Sequence, residues 1–272
     1  MFTAAGRIGQ RQMNEVNKTP YIPLYGKSYV SKRGMILSDK TAEFIWEKEG
    51  FELKGKSGSK WLAYYMGMRA AVFDEWTASA LKEMPESLVL HIGCGMDSRV
   101  KRIAPKGIKW YDVDFPDVIQ ERKKYYEESE AYHMIGADAR QTEWLADIEK
   151  KPAVVVMEGL SMYLSYTEMT GLLYALHNHF PALKILMDCY SEFAAKASKY
   201  KNPVKDMGVT RVYGIDDPLK YEDGTGVKYT AQHSITPQKL LDELRSWEKI
   251  FFSLIYCGKA ARNMYHLYEY QG

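Results

Sequence analysis

Along the second two-thirds of the chain, short apolar runs alternate with longer segments in which charged and apolar residues are mixed. The runs are "SLVLHIG" (87–93), "IKWYDVDF" (108–115), "AVVVMEGL" (153–160) and "KILMDCY" (184–190), with a weaker one at "AYHMIGAD" (131–138). Each is bounded by polar residues, proline or glycine, as strands buried on both faces are. Between them, "DVIQERKKYYEESE" and "TEMTGLLYALHNHF" read as helices. Strands alternating with helices predict an α/β, Rossmann-like architecture with a mostly parallel sheet. Near the end, "IFFSLIYCG" and "ARNMYHLYEYQ" are two strand-like runs with only a short break containing Gly258. Too little chain separates them for a parallel crossover, so they are expected to form a C-terminal antiparallel hairpin.

Before residue 85 the period changes. "DKTAEFIWEKEG" and "SKWLAYYMGMRAAVFDEWTASALKEM" are helical, with Trp61, Tyr65, Met68 and Val72 spaced three or four apart. Such helices need a surface to cover. Residues 1–85 are therefore expected to form a helical N-terminal cap and residues 86–272 the sheet domain. Within that domain the polar, lysine-rich segment 191–235 reads as an inserted lid.

Composition narrows the class. The 272 residues are 46% hydrophobic and 26% charged, an ordinary globular balance, and the net charge of +2 lacks the basic excess of a nucleic-acid binder. The lysine cluster in "KASKYKNPVK" (Lys196, Lys199, Lys201, Lys205) is diluted by acidic neighbours. Cys94, Cys189 and Cys257 are far apart, with no CxxC pair, which indicates neither a disulfide framework nor a cysteine-based zinc site, and no metal is expected. "MFTAAGRIGQRQMNEVNK" has no apolar signal core, and no run of about 18 apolar residues occurs, so a cytoplasmic protein with no membrane partner is expected.

The chemistry gathers at "VLHIGCGMDSR". Gly93 and Gly95 lie between a strand and a presumed helix, where a backbone without side chains can approach a ligand. In a dinucleotide site the next helix offers free N–H groups to a diphosphate. Here Asp97 would oppose the phosphates and cap that helix itself. The turn thus favours a nucleoside ligand without phosphate, and S-adenosylmethionine is such a ligand. Asp114, nineteen positions after Gly95, stands where an acid receives ribose hydroxyls, at the end of a strand closed by Pro116. Asp112, on the same face, is the fallback. Asp138 either meets an adenine amino group or caps the next helix. Glu158 ends a very apolar run, where a carboxylate without a partner is costly; it either receives the ligand's ammonium group or pairs with a cation of the cap.

In this order, "MRAAVFDEW", "GCGMDSR", "DVDFP", "GADAR" and "MEGLSMYL" resemble the leucine carboxyl methyltransferase family, including its bacterial polyketide O-methyltransferase branch of the tetracenomycin type. The motifs span about residues 60 to 170. The resemblance implies a class I methyltransferase fold, a seven-stranded sheet, and S-adenosylmethionine as cofactor. Carried over, Arg69 would grip the cofactor's carboxylate, and Gly93 and Gly95 would line its methionine moiety. Asp114 would take the ribose, Asp138 and Ala139 the adenine, and Glu158 the amino-acid end, with Asp97 in the same turn. Lys27 roughly matches a ligand-contacting lysine; it otherwise reads as a surface lysine.

The implied reaction is methyl transfer to a carboxylate or phenolic oxygen of a small molecule or peptide. A carboxylate arrives ionised, whereas a phenol benefits from a base. His91 is a candidate base or a buried core histidine, and Tyr163 either faces the sulfonium or packs beneath the lid. A monomer and a homodimer are both compatible with the chain. The rival readings are an NAD-dependent oxidoreductase, which shares the βαβ start, and a non-catalytic S-adenosylmethionine-binding protein.

Overall fold

The computed structural model describes residues 21–51, 53, 55–201 and 211–272. Three N-terminal helices come first: α1 (Tyr21–Lys32), α2 (Lys40–Glu49) and α3 (Lys60–Glu83). The long α3 starts where the hydroxyl of Ser59 accepts from the Trp61 amide at 3.2 Å, and α2 where the Asp39 carboxylate accepts from the Ala42 amide at 2.8 Å. Both side chains satisfy an amide that the first helical turn leaves unpaired.

Then strands and helices alternate: β1 (Leu88–Ile92), α4 (Arg99–Ile103), β2 (Trp110–Asp114), α5 (Pro116–Arg122), β3 (Tyr132–Gly136), β4 (Ala153–Met157), α6 (Tyr166–His179) and β5 (Leu183–Tyr190). There follow α7 (Glu192–Lys201), β6 (Lys228–His233), α8 (Gln238–Leu241), α9 (Ser246–Tyr256), α10 (Lys259–Arg262) and β7 (Tyr265–Gln271). The seven strands form one sheet in the order β3-β2-β1-β4-β5-β7-β6. Only β7 runs antiparallel to its neighbours. The C-terminal ends of β1 to β6 therefore share one rim, and the start of β7 joins them there.

Strand alternation sorts the apolar side chains into two cores. Val89, Val154, Val156, Leu186 and Leu267 face Tyr64, Met68 and Phe73 of α3 and Phe252 of α9. Leu90, Ile92, Val155 and Met157 face the opposite way, against Leu172, Leu173 and Leu176 of α6. The N-terminal helices thus complete one of the two layers over the sheet.

Two sequence expectations change. The run "IFFSLIYCG" is largely the helix α9 and pairs with no strand; the antiparallel neighbours of β7 are β5 and β6. Within the expected lid, residues 228–233 form the sheet's edge strand. Residues 211–215 do pass over the rim, with the Tyr213 amide bonded to the Met162 carbonyl and the Ile215 amide to the Tyr190 carbonyl, each at 2.8 Å. Of the lysine cluster, Lys205 lies outside the described residues. No helix among the described residues is long and apolar enough to cross a membrane.

Candidate active site

The turn after β1 is shaped by left-handed glycines. Gly93 has φ +72° and Gly95 φ +50°, and a side chain at Gly93 would press on Leu160, 3.2 Å away. The turn is anchored to β2 by the Gly93 amide, which donates to the Val113 carbonyl at 2.8 Å. It is anchored again by the Gly95 amide, which donates to Asp114 Oδ2 at 2.7 Å. The other oxygen of Asp114 accepts from the Phe115 amide at 2.8 Å. Asp114 therefore sits at the strand tip, half-buried, with both oxygens aligned by backbone donors and lone pairs to spare. Burial raises its pKa, against the lowering effect of those two amides.

Beside the turn, charge is concentrated and buried. Lys27 Nζ reaches Asp97 Oδ2 at 2.8 Å, with both side chains almost wholly inside. Asp97 also accepts from the Arg99 amide at 2.8 Å, as a cap does, and its Oδ1 lies 2.9 Å from Arg102 Nη1. Burial opposes that charge, but Arg102, Lys27 and Arg99 together hold the carboxyl well below the usual range. The expectation that Asp97 alone repels phosphate is thereby corrected: its charge is already matched by three cations. Asp39 and Asp74 continue the network, Asp39 accepting from Arg102 at 2.7 Å and from the Ser98 hydroxyl at 2.5 Å. Asp74 pairs with Arg99 at 2.7 Å and with Arg102 at 2.6 Å.

Arg69, two turns into α3, reaches the same rim. Its Nε donates to Glu158 Oε1 at 2.9 Å, and its Nη1 to Asp188 Oδ2 at 3.0 Å and to the Tyr265 hydroxyl at 2.6 Å. Tyr265 in turn donates to Asp188, whose other oxygen accepts from the Gly159 amide at 2.7 Å. Gly159 is again left-handed, at φ +74°. Glu158 is held from its far side by Arg99. Burial disfavours the Glu158 carboxylate, but Arg69 and Arg99 outweigh it and bring the pKa down to about 2. At Asp188 burial prevails and the pKa is raised.

The remaining sequence candidates divide. Asp138 makes a local turn, accepting from the Arg140 amide at 3.0 Å and pairing with the Arg140 side chain, which lowers its pKa. Ala139 beside it is partly exposed at the end of β3. Asp112, the fallback for Asp114, is not on the open rim. It is completely buried and committed to Arg122, to the Tyr132 hydroxyl at 2.5 Å and to Trp110 Nε1 at 2.8 Å. His91 is a correction too. It is 1% exposed, with Nδ1 3.2 Å from Asp112 and Nε2 3.3 Å from Arg99, so neither ring nitrogen faces the rim. Tyr163 lies in a short helical turn after β4, and burial raises its pKa, keeping the hydroxyl neutral.

A cleft of about 250 Å³ opens next to Arg69, lined by Tyr65, Tyr256, Tyr265, His233 and Thr236 among others. Tyr65 and Tyr256 stack at 4.8 Å. Tyr265 forms the cleft wall and bonds Arg69 on its other side.

The profile of the leucine carboxyl methyltransferase family matches residues 22–177, from α1 to the last turn of α6. The chain belongs to the leucine carboxyl methyltransferase family. The chain is similar to the tetracenomycin polyketide synthesis O-methyltransferase TcmP of Streptomyces glaucescens, 31% identical over 217 residues, covering 79% of this chain and 80% of that one. The S-adenosyl-L-methionine-dependent methyltransferase dpfgK of Gibberella zeae is 29% identical over 64% of each chain. The magnesium protoporphyrin IX methyltransferase of Synechocystis PCC 6803, crystallised with bound S-adenosylhomocysteine, shares the fold. There the TM-score is 0.50 at 11% identity, with 85% of this chain and 94% of that one covered. This family member is accordingly an S-adenosylmethionine-dependent methyltransferase.

Asp188, Arg99 and Arg102, with Asp74 and Tyr265, escaped the sequence reading. Asp188 sits in the middle of "KILMDCY", a carboxylate inside an apolar strand, which is the same signal that singled out Glu158. Arg99 and Arg102 look like ordinary surface arginines of a short helix; only the fold brings Asp74, from α3, beneath them.

Proposed function

We propose that this methyltransferase acts on an oxygen of a small-molecule or peptide acceptor, and that an ionised carboxylate or an acidic phenol is the group methylated. The observation that carries the reading is the acid-rich cradle at the rim of β1, β2 and β4, adjoining an aromatic cleft that presents no unengaged base among the described residues. Lys27, Arg69, Arg99 and Arg102 face Asp39, Asp74, Asp97, Glu158 and Asp188, one carboxylate more than the cations. A buried excess of negative charge suits a sulfonium nucleoside and penalises a diphosphate. This argues against the NAD-dependent reading on firmer ground than Asp97 alone.

The residues present fit S-adenosylmethionine. Asp114 would accept the ribose hydroxyls, with its orientation fixed by Gly95 and Phe115. Gly93 and Gly95 would line the methionine portion. Glu158 would receive the ammonium group and Arg69 the carboxylate, each exchanging part of its present pairing with the other. Asp138 and Ala139, at the end of β3, would meet the adenine. Bound there, the cofactor supplies an already activated methyl group, so the protein's task is chiefly to position the acceptor. Tyr163, neutral and beside Arg69, offers a ring or hydroxyl without competing as a nucleophile.

The acceptor would enter the cleft walled by Tyr65, Tyr256 and Tyr265. His233, which lines it, is engaged with Glu269 at 2.6 Å. It stands three strands from β4, on the order of 14 Å away at the usual strand spacing. It can anchor an acceptor but not deprotonate one at the methyl group. An acceptor that arrives ionised needs no such base. The test is a methyl-transfer screen with labelled cofactor against free carboxylic acids, peptides with exposed C-termini and polyphenols. Labelling among carboxylic acids or acidic phenols supports the reading. Transfer confined to amines or thiols refutes it.

A further inference from the structure

Helix α9 turns a bare apolar face outward. Trp247, Ile250, Phe251, Leu254 and Ile255 recur at the i, i+3, i+4, i+7, i+8 spacing of a single helix face. All five are at least half exposed, Ile250 to 63% and Leu254 to 75%. The opposite side of the helix is anchored inside, through Phe252 in the core and Glu248 beneath Tyr64, Lys60 and Arg33. The face is widened by Trp61 of α3, edge-on to Trp247 at 6.2 Å. Lys60, which lies over the Trp247 ring, is already paired with Glu248.

We propose that this face is the two-fold interface of a homodimer, with α9 packed antiparallel against α9 of a second copy. Area and charge support that occupant. Large side chains present roughly 150–250 Å² each. At these exposures the five offer on the order of 500 Å² per copy, well over half of the ~800 Å² that each partner contributes to a stable interface. A two-fold axis at Phe251 would set Phe251 of one copy against Phe251 of the other and Trp247 of each against Ile255 of its partner. That is what an isologous contact requires.

The flanks are matched in the same way. Asp242, which pairs with Lys249 of its own chain, and Glu243, which accepts from the Ile36 amide, are exposed before the helix, nine and eight residues from Phe251, with Arg245 closer in; Lys259 and Arg262 are exposed after it, at eight and eleven. Antiparallel pairing sets the acids of one copy beside the bases of the other and opposes the two helix dipoles. An anionic membrane surface, the other taker for such a helix, would instead meet the exposed acids at one end.

Sedimentation velocity on the full chain at micromolar concentration tests the proposal. The wild type is expected to sediment as a dimer, and Phe251→Asp and Leu254→Asp as monomers with unchanged circular dichroism. Lys259→Glu is expected to weaken dimerisation at least tenfold, and adding Asp242→Lys to restore it. A wild type that stays monomeric at high concentration overturns the proposal. So does a dimer indifferent to all four substitutions. A monomer that floats with phosphatidylcholine–phosphatidylglycerol vesicles, and loses this in Leu254→Asp, assigns the face to membranes and overturns it too.

Discussion

Arg69 and Glu158 meet across 2.9 Å, Nε to Oε1, and so tie the long N-terminal helix to the tip of the central strand β4. The contact lies in the interior. Asp188 and Tyr265 complete the surroundings of the guanidinium, and Arg99 those of the carboxylate. One arginine thereby fixes the position of a covering helix and arms the rim of the sheet.

Removing that arginine should cost both stability and binding. In Arg69→Ala, Glu158 keeps Arg99, but Asp188 loses its only cationic partner among the described residues. A buried charge left without its partner typically costs about 3–5 kcal/mol. Urea denaturation is expected to show a loss of that order, and calorimetry a far weaker affinity for S-adenosylhomocysteine. An Arg69→Ala variant with wild-type stability and affinity would remove Arg69 from both roles.

Asp114 should behave differently, because it stands half-exposed at a strand tip. Asp114→Ala removes an acceptor for the Gly95 amide and for the ribose, each bond worth about 0.5–1.5 kcal/mol and more when charged. Cofactor affinity is expected to fall by roughly tenfold or more, with little change in the unliganded melting temperature. Isothermal titration of the variant decides it; unaltered affinity would place the ribose elsewhere.

Beneath the rim, Asp112 and Arg122 form a pair that touches neither the turn's open side nor the cleft. Asp112 is completely buried, so Arg122→Leu strands its charge and should destabilise by about 3–5 kcal/mol. Asp112→Asn with Arg122→Leu should recover much of that loss. A double variant no better than the single one would mean that Arg122 acts mainly through Tyr132 and the Gly95 carbonyl, which it also bonds, each at 3.0 Å.

The pH dependence of stability follows from the same carboxylates. Burial works against both, yet Arg69 and Arg99 bring Glu158, and Arg122 and His91 bring Asp112, to about 2 in the folded chain. Both ordinarily titrate near 4, so the unfolded chain binds their protons first as pH falls. Their contribution, on the order of 2–3 kcal/mol each, is fully present above about pH 4.5 and is lost as pH drops toward 2. Asp114 and Asp188, whose pKa values are raised, work in the opposite sense, and do so above about pH 4, between their ordinary and their raised values. Denaturation midpoints measured between pH 7 and pH 3 should fall below about pH 4.5; a flat profile would show that the two pairs carry no net linkage.

Much of this arrangement could be read from the residues. Four strongly apolar runs and a weaker one are β1 to β5, and the positions that end them (Gly93, Asp114, Asp138, Glu158) all come to the rim. The C-terminal third was harder. The helix α9 carries a run rich in β-branched and aromatic residues, "IFFSLIY", which reads as a strand until the three-and-four spacing from Trp247 to Ile255 is noticed. The strand β6, "KYTAQH", is polar because it closes the edge of the sheet, with alternate side chains in solvent, so nothing in its composition separates it from a loop. The partners of Asp97 were beyond reach for another reason. Lys27, Arg99 and Arg102 come from two helices some seventy residues apart, and spacing along the chain does not encode such a meeting.

The account's central claim is that the turn from Ile92 to Asp97, with Asp114 and Glu158, holds the adenosyl cofactor. A crystal structure of the complex with S-adenosylhomocysteine tests it most directly. The ribose hydroxyls are expected within hydrogen-bonding range of Asp114, about 2.6–3.2 Å, and the amino-acid end between Arg69 and Glu158. Ligand density away from the Gly93–Gly95 turn, or a ribose facing residues other than Asp114, would contradict it.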